Sequence, residues 1–145
     1  NMEDAQRLEK VLEIVEELRS LVQDGAIIVV EGVKDRRAME ALGINDGIET
    51  LVGQETLLNF SERLAQRNCP VILMTDWDRT GAKIASDLAT YLQPAGCDVD
   101  YELRSKLSKL VKKDIKDVES LTAYIERMKQ KTRYDRIDVQ PIQRQ

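Results

Sequence analysis

Apolar positions along the chain change their period several times, and each change marks a predicted element. Leu8, Val11, Leu12, Val15, Leu18 and Val22 recur at helical spacing, with Glu and Arg opposite, and predict an amphipathic helix over residues 3–22. This face is expected to pack on the chain's own sheet, with a dimer seam as the alternative. Asp24 and Gly25 end the helix, and the unbroken run from Ala26 to Val30 is the clearest strand in the chain. Residues 36–42 form a predicted short helix closed by Gly43. A weaker strand over 47–52 and a helix over 55–67, with Leu57, Leu58 and Leu64 turned inward, complete the first half.

Pro70 opens a second apolar, partly β-branched run, from Val71 to Met74, expected to be a buried parallel strand. The helix predicted over 79–92 turns Ile84, Ala85, Leu88 and Leu92 inward and is broken by Pro94 and Gly96. A fourth, shorter strand spans 97–101. Helices follow over 103–112 and, capped by Asp117, over 118–128; the polar stretch 131–145, which contains Pro141, is expected to fray. Strands alternating with helices predict an α/β fold: four parallel strands between helices, joined by right-handed crossovers, with extra helices at both ends. The expected organisation is an N-terminal helix (1–25), an α/β core (26–102), C-terminal helices (103–130) and a polar tail (131–145).

Three carboxylates stand where ligands bind in such sheets, just beyond the carboxyl ends of strands. Glu31 follows the first strand, and Asp76 and Asp78 follow the third, two residues apart. In extended backbone, residues i and i+2 point the same way, so the two aspartates are expected to converge. If the first and third strands are neighbours, all three acids share one site. Like charges so placed repel, and a hard cation relieves them; oxygen donors suit magnesium, with manganese as a substitute. Gly32 is expected to provide a sharp turn and Asp35 to cap the next helix.

Lys34, Arg36, Arg37, Arg79 and Lys83 lie near the acids in sequence and are the candidate contacts to a phosphate backbone. The lysines at 106, 109, 112 and 113 suggest a solvated face more than a phosphate track. Trp77, between the aspartates, either stacks on a base or packs beside the sheet.

Composition narrows this further. There is no histidine, which excludes a Ser-His-Asp triad, a Cys-His dyad and any His-ligated metal. The net charge of −4 argues against bulk electrostatic gripping of nucleic acid, so any polyanion must be held by a metal and a few placed cations. Cys69 and Cys97 are expected to be near-core thiols, and with no visible signal peptide or bilayer-length apolar run, a cytoplasmic protein is expected.

A strand ending in Glu31-Gly32-x-x-Asp35, a second strand–helix unit, and a strand ending in Asp76-x-Asp78 with Gly81 soon after resemble the Toprim domain. That domain is shared by type IA and type II topoisomerases, bacterial-type primases, certain nucleases, recombination-repair proteins and a ribosomal-RNA-maturing ribonuclease. The resemblance runs from about Ile27 to Tyr101 and implies a Rossmann-like, four-stranded parallel sheet. It implies that Glu31 is a general acid or base and a metal ligand, that Asp76 and Asp78 hold magnesium, and that Asp35 and Gly81 support them. The implied function is magnesium-dependent chemistry on nucleic-acid phosphodiesters, nuclease-like, as in RNA or DNA processing. Strand passage is disfavoured, since Tyr91, Tyr101, Tyr124 and Tyr134 look like packing or surface residues. One alternative is a non-catalytic adaptor that binds nucleic acid or protein in a larger assembly or as a homodimer. A weaker one takes Asp76-Trp-Asp78-Arg-Thr80 as the Asp-x-Asp-x-Thr signature of haloacid-dehalogenase-like phosphatases, which leaves Glu31 idle.

Overall fold

The computed structural model describes residues 2–51 and 53–139, with side chains as far as Arg133. Val52, in the second predicted strand, lies outside the described residues, as do residues 140–145 with Pro141 and the side chain of Tyr134. The chain runs α1 (Asp4–Gln23), β1 (Ile27–Val30), α2 (Val33–Ala41), β2 (Ile48–Thr50), α3 (Leu57–Ala65) and β3 (Val71–Leu73). It continues through α4 (Arg79–Leu92), β4 (Val99–Asp100), α5 (Glu102–Val111), a 3-10 turn η1 (Val118–Ser120) and α6 (Leu121–Val139). The four strands form one parallel sheet in the order β2-β1-β3-β4. The first and third strands are therefore neighbours, in register Ile27 to Val71 and Val29 to Leu73.

The sheet is filled on both faces, which is why its strands are apolar without alternation. Ile28, Val30, Ile72 and Met74 pack with Leu8, Val11, Val15 and Leu18 of α1 and with apolar residues of α2, α5 and α6. Ile27, Val29, Val71 and Leu73 face the other way, against Phe60 and Leu64 of α3 and Ala85, Leu88 and Leu92 of α4. Among the described residues, no helix is long and apolar enough to cross a membrane.

The helices depart from expectation in phase. In α1, Ile14 is buried while Leu12 is 37% exposed, so the inward stripe is 8-11-14-15-18. In α3, the Thr56 hydroxyl accepts the Asn59 amide and starts the helix so that Phe60, Ser61 and Leu64 face the sheet. Leu58, expected inward, is 45% exposed. The α2 helix starts at Val33, one turn earlier than predicted, because Asp35 holds the Gly32 amide at its N-terminus. Much of the stretch expected to fray is helical, since α6 carries on to Val139. Cys69 and Cys97 are free thiols, half-buried against the α3–α4 side.

Candidate metal and nucleic-acid site

Because β1 and β3 run side by side in the same direction, Glu31 and the 74–78 loop leave the sheet at the same edge. The Met74 amide still donates to Val29 O at 2.8 Å, which keeps the two exits together. Glu31 Oε2 then accepts the Asp76 amide at 2.8 Å, tying one acid to the backbone of the next. Asp76 Oδ1 accepts the Val118 amide at 2.9 Å, from the first residue of η1, 42 positions away. Asp78 caps α4, its Oδ1 accepting the Gly81 amide at 2.7 Å. Glu31, Asp76 and Asp78 are thus assembled at one edge, each with one carboxylate oxygen on a backbone N–H.

Gly81 is required by close approach. A methyl built on its Cα would overlap the carbonyl group of Asp76 and come within 2.9 Å of that residue's nitrogen. Thr75 Oγ1, fully buried, donates to Gly81 O at 2.7 Å and seals the same contact. Gly32, by contrast, has an ordinary extended backbone (φ −150°, ψ −177°), and a Cβ there would meet only Asp35 Oδ2 at 3.9 Å. The chain bends at Glu31–Gly32 as expected, but in a conformation open to any residue, so the contribution of Gly32 is the amide that Asp35 accepts at 3.0 Å.

The electrostatics follow from this crowding. Burial, opposed by the Val118 hydrogen bond and reinforced by Asp35, Asp117 and Asp78, pushes Asp76 up to about 6. Burial also raises Glu31, against the Asp76 amide and with Asp76 and Asp78 adding to the rise. Asp35 is raised by burial too, with Glu31 and Glu119 nearby. The compensating cation is Arg104 of α5, which the sequence reading missed. Its Nε donates to Thr75 O at 2.9 Å and its Nη2 to Asp76 O at 2.6 Å, so its guanidinium grips the loop that carries the acids. Burial lowers its pKa while Glu31, Asp76 and Asp78 raise it. The only hint in sequence is an arginine beside the core residue Leu103 in a helix otherwise rich in lysine.

Other expectations need correction or refinement. β3 ends at Leu73, so the aspartates converge through a loop and a helix cap and not through strand alternation. Trp77 packs against the core, and its Nε1 donates to Ile115 O at 2.7 Å, which anchors the segment before η1. Of the candidate phosphate contacts, Lys34 and Arg37 are exposed on α2, Arg36 is half-buried, and Arg79 is exposed at the start of α4. Lys83 is turned along α4 to Asp87, at 3.3 Å.

Among the described residues, no three carboxylate or thiol side chains already stand close enough to hold a metal by themselves. The donor set nonetheless fits magnesium, which takes one or two carboxylates and keeps waters in its other positions. Among the described residues, Glu31 Oε1, Asp76 Oδ2 and Asp78 Oδ2 carry no hydrogen bond, which leaves one hard oxygen of each acid for a cation.

Residues 26–119 match the Toprim domain. The chain belongs to the Toprim family. This Toprim chain is 42% identical over 126 residues to a UPF0292 protein of Methanosarcina acetivorans, covering 87% of each. It is 39% identical over 119 residues to a UPF0292 protein of Thermococcus gammatolerans, covering 81% of this chain and 84% of the relative. A solved structure of a protein from Aquifex aeolicus superposes with a TM-score of 0.63 at 28% identity, over 74% of this chain and 94% of that one. At family level, Toprim membership carries a metal-binding, nucleic-acid-related role, with magnesium as the general ion. Asp76-x-Asp78-x-Thr80 is accordingly the motif after the third strand of a Toprim sheet, and the phosphatase reading falls.

Proposed function

We propose that this Toprim protein acts on nucleic-acid phosphodiesters in a magnesium-dependent, nuclease-like reaction. The observation that carries this is the convergence of Glu31, Asp76 and Asp78 on one sheet edge, each with one oxygen fixed by backbone and one left over. Fixing one oxygen orients the other, so the donors are held before any cation arrives. Asp76 and Asp78, with Glu31 beside them, would hold magnesium or manganese. When bound, the ion supplies charge neutralisation at a phosphodiester oxygen.

The remaining work falls to the chain's own groups. Glu31, held by its Oε2 and raised by burial, carries a proton at Oε1 closer to neutrality than an exposed glutamate does. That suits a general acid or base for the attacking or leaving oxygen. Arg104 fixes the Thr75–Asp76 backbone and balances the carboxylates, which makes it a positioning residue. Arg79 and Arg36, with Lys34 and Lys83, supply the candidate phosphate contacts.

The test is a calorimetric titration with magnesium and with manganese, on wild type and Asp76→Asn, followed by a cleavage screen on structured RNA and on DNA. Metal binding lost in the variant, with metal-dependent cleavage in wild type only, is the expected result. A second reading, a non-catalytic adaptor, is favoured by one fact: Asp76 and Asp78 already serve the fold as acceptors for Val118 and Gly81. Absence of metal binding in wild type would select it and overturn the nuclease reading.

A further inference from the structure

Beside the acids lies a second concave surface, a groove of about 560 Å³ between α2, η1 and α6. Its floor is small and apolar: Ala38 and Ala41 from α2, Ile115, and Ala123 from α6. Its rim is basic, formed by Lys34 and Arg37 on one side and Arg127 on the other, against the single carboxylate of Glu119. Among the described residues, none of these three cations has an ion-pair partner. Arg127 lies over the Tyr124 ring, 6.0 Å from its centroid, which steadies the guanidinium without neutralising it. In a chain of net charge −4, this concentration of unpaired positive charge is the reverse of the average surface.

The groove shares a structural segment with the site. The segment that forms its wall, Ile115 to Ser120, is the same one pinned to the acidic loop by Trp77 Nε1 on Ile115 O and by the Val118 amide on Asp76. Lys34 stands in the first turn of α2, three residues after Glu31. Thr122, Ala123 and Arg127 lie beyond the residues that match the Toprim domain, so the α6 side of the groove falls outside the matched domain.

We infer that the α2–α6 groove binds one strand of nucleic-acid backbone, with Lys34, Arg37 and Arg127 on its phosphates, and leads that strand to or from the acids. This rests on the proposed phosphodiester reading for its direction, though not for the binding itself. Three unpaired cations against one carboxylate make phosphate the group this lining attracts most, so the recognition inferred is of backbone.

The experiment uses the full chain in EDTA, so that neither metal nor cleavage enters. A labelled single-stranded RNA of about a dozen nucleotides, and DNA of the same sequence, are titrated by fluorescence anisotropy at several salt concentrations. Arg37→Gln with Arg127→Gln is expected to weaken binding about tenfold to hundredfold and to reduce the salt slope by about 1.4, two single-strand contacts' worth. Lys106→Gln with Lys109→Gln, an equal charge change on α5, is expected to leave both quantities unchanged. Since Arg127 also rests on Tyr124, Arg127→Lys separates charge from packing and is expected to retain binding. Equal weakening by the α5 pair, no weakening by the groove pair, or no binding of either oligonucleotide to wild type would overturn the groove. The RNA and DNA arms identify which backbone it prefers. In a separate assay with magnesium, cleavage undiminished in the groove pair would overturn the delivery of the strand to the acids, whereas groove binding without any cleavage by wild type would sink the nuclease reading alone.

Discussion

Asp76→Asn is expected to stabilise the metal-free protein, and to do so only where Asp76 is ionised. The carboxylate titrates at about 6 in the folded chain, against 3.8 for an ordinary aspartate. A group raised in this way binds its proton more tightly when folded. Its contribution is therefore fully present below pH 3.8 and is lost as pH rises through about 6. At about 1.4 kcal/mol per unit, the shift corresponds to roughly 3 kcal/mol. The carboxylate is only half-buried, and solvent screening cuts this to about 1–1.5 kcal/mol. Asparagine removes the charge, and its side-chain oxygen still accepts the Val118 amide, so the hydrogen bond that docks η1 is kept. With a urea slope of about 1–3 kcal/mol/M, the midpoint should rise by about 0.3–1.5 M at about pH 8 in EDTA. Near pH 4, the gap should fall below about 0.5 kcal/mol, because wild type is then protonated too. Saturating magnesium should reverse the order at about pH 8 by stabilising wild type alone. Equal midpoints at about pH 8, or a gap that does not change with pH, would refute the argument that burial strains this carboxylate.

Glu31→Gln keeps an acceptor for the Asp76 amide while removing the proton carrier, so the fold should hold and any metal-dependent cleavage should fall by about 10²–10⁴-fold, read from single-turnover rates. Gly81→Ala forces a methyl into the Asp76 carbonyl, and a loss of about 2–4 kcal/mol in urea unfolding is expected; a change under about 0.5 kcal/mol would mean that the loop has room after all. Trp77→Phe leaves the Ile115 carbonyl without its donor, which should cost about 1–2 kcal/mol and speed amide exchange over residues 112–120; unchanged exchange there would show that the indole does not anchor that segment.

The parts of this molecule legible in its sequence are those fixed by local pattern. The run Ala26 to Val30 stood out as the clearest strand, and the Asp76-x-Asp78 pair beyond the 71–74 run marked where a strand gives way to a helix. The resemblance drawn from those residues implied the four-stranded parallel sheet that the structure has, while the adjacency of β1 and β3 stood only as a condition that the strand pairing meets. Phase within helices was harder: a lone Phe60 outweighs Leu57 and Leu58 once Thr56 sets the helix start, and only the packed structure shows which face the sheet demands. Arg104 was illegible because its partners, Thr75 O and Asp76 O, are backbone atoms 29 and 28 positions away that carry no side-chain signature. The groove escaped for the same reason, since Arg37 and Arg127 are far apart in sequence and are brought opposite one another only by the packing of α2 and α6.

The bond between Asp76 and the Val118 amide sets an order of assembly. Glu31, Asp76 and Asp78 leave the ribosome well before residues 115–118, and a sheet of four strands can pair without them. Until Trp77 captures Ile115 and Asp76 captures Val118, one acid lacks its fixed oxygen, and its carboxylate is free to rotate. Closing that contact spans a long loop, which makes it among the later events of folding. A nascent or truncated chain that stops short of η1 would carry all three acids without the arrangement that makes them a centre. The fixed arrangement of the three acids is thereby tied to the chain's C-terminal third.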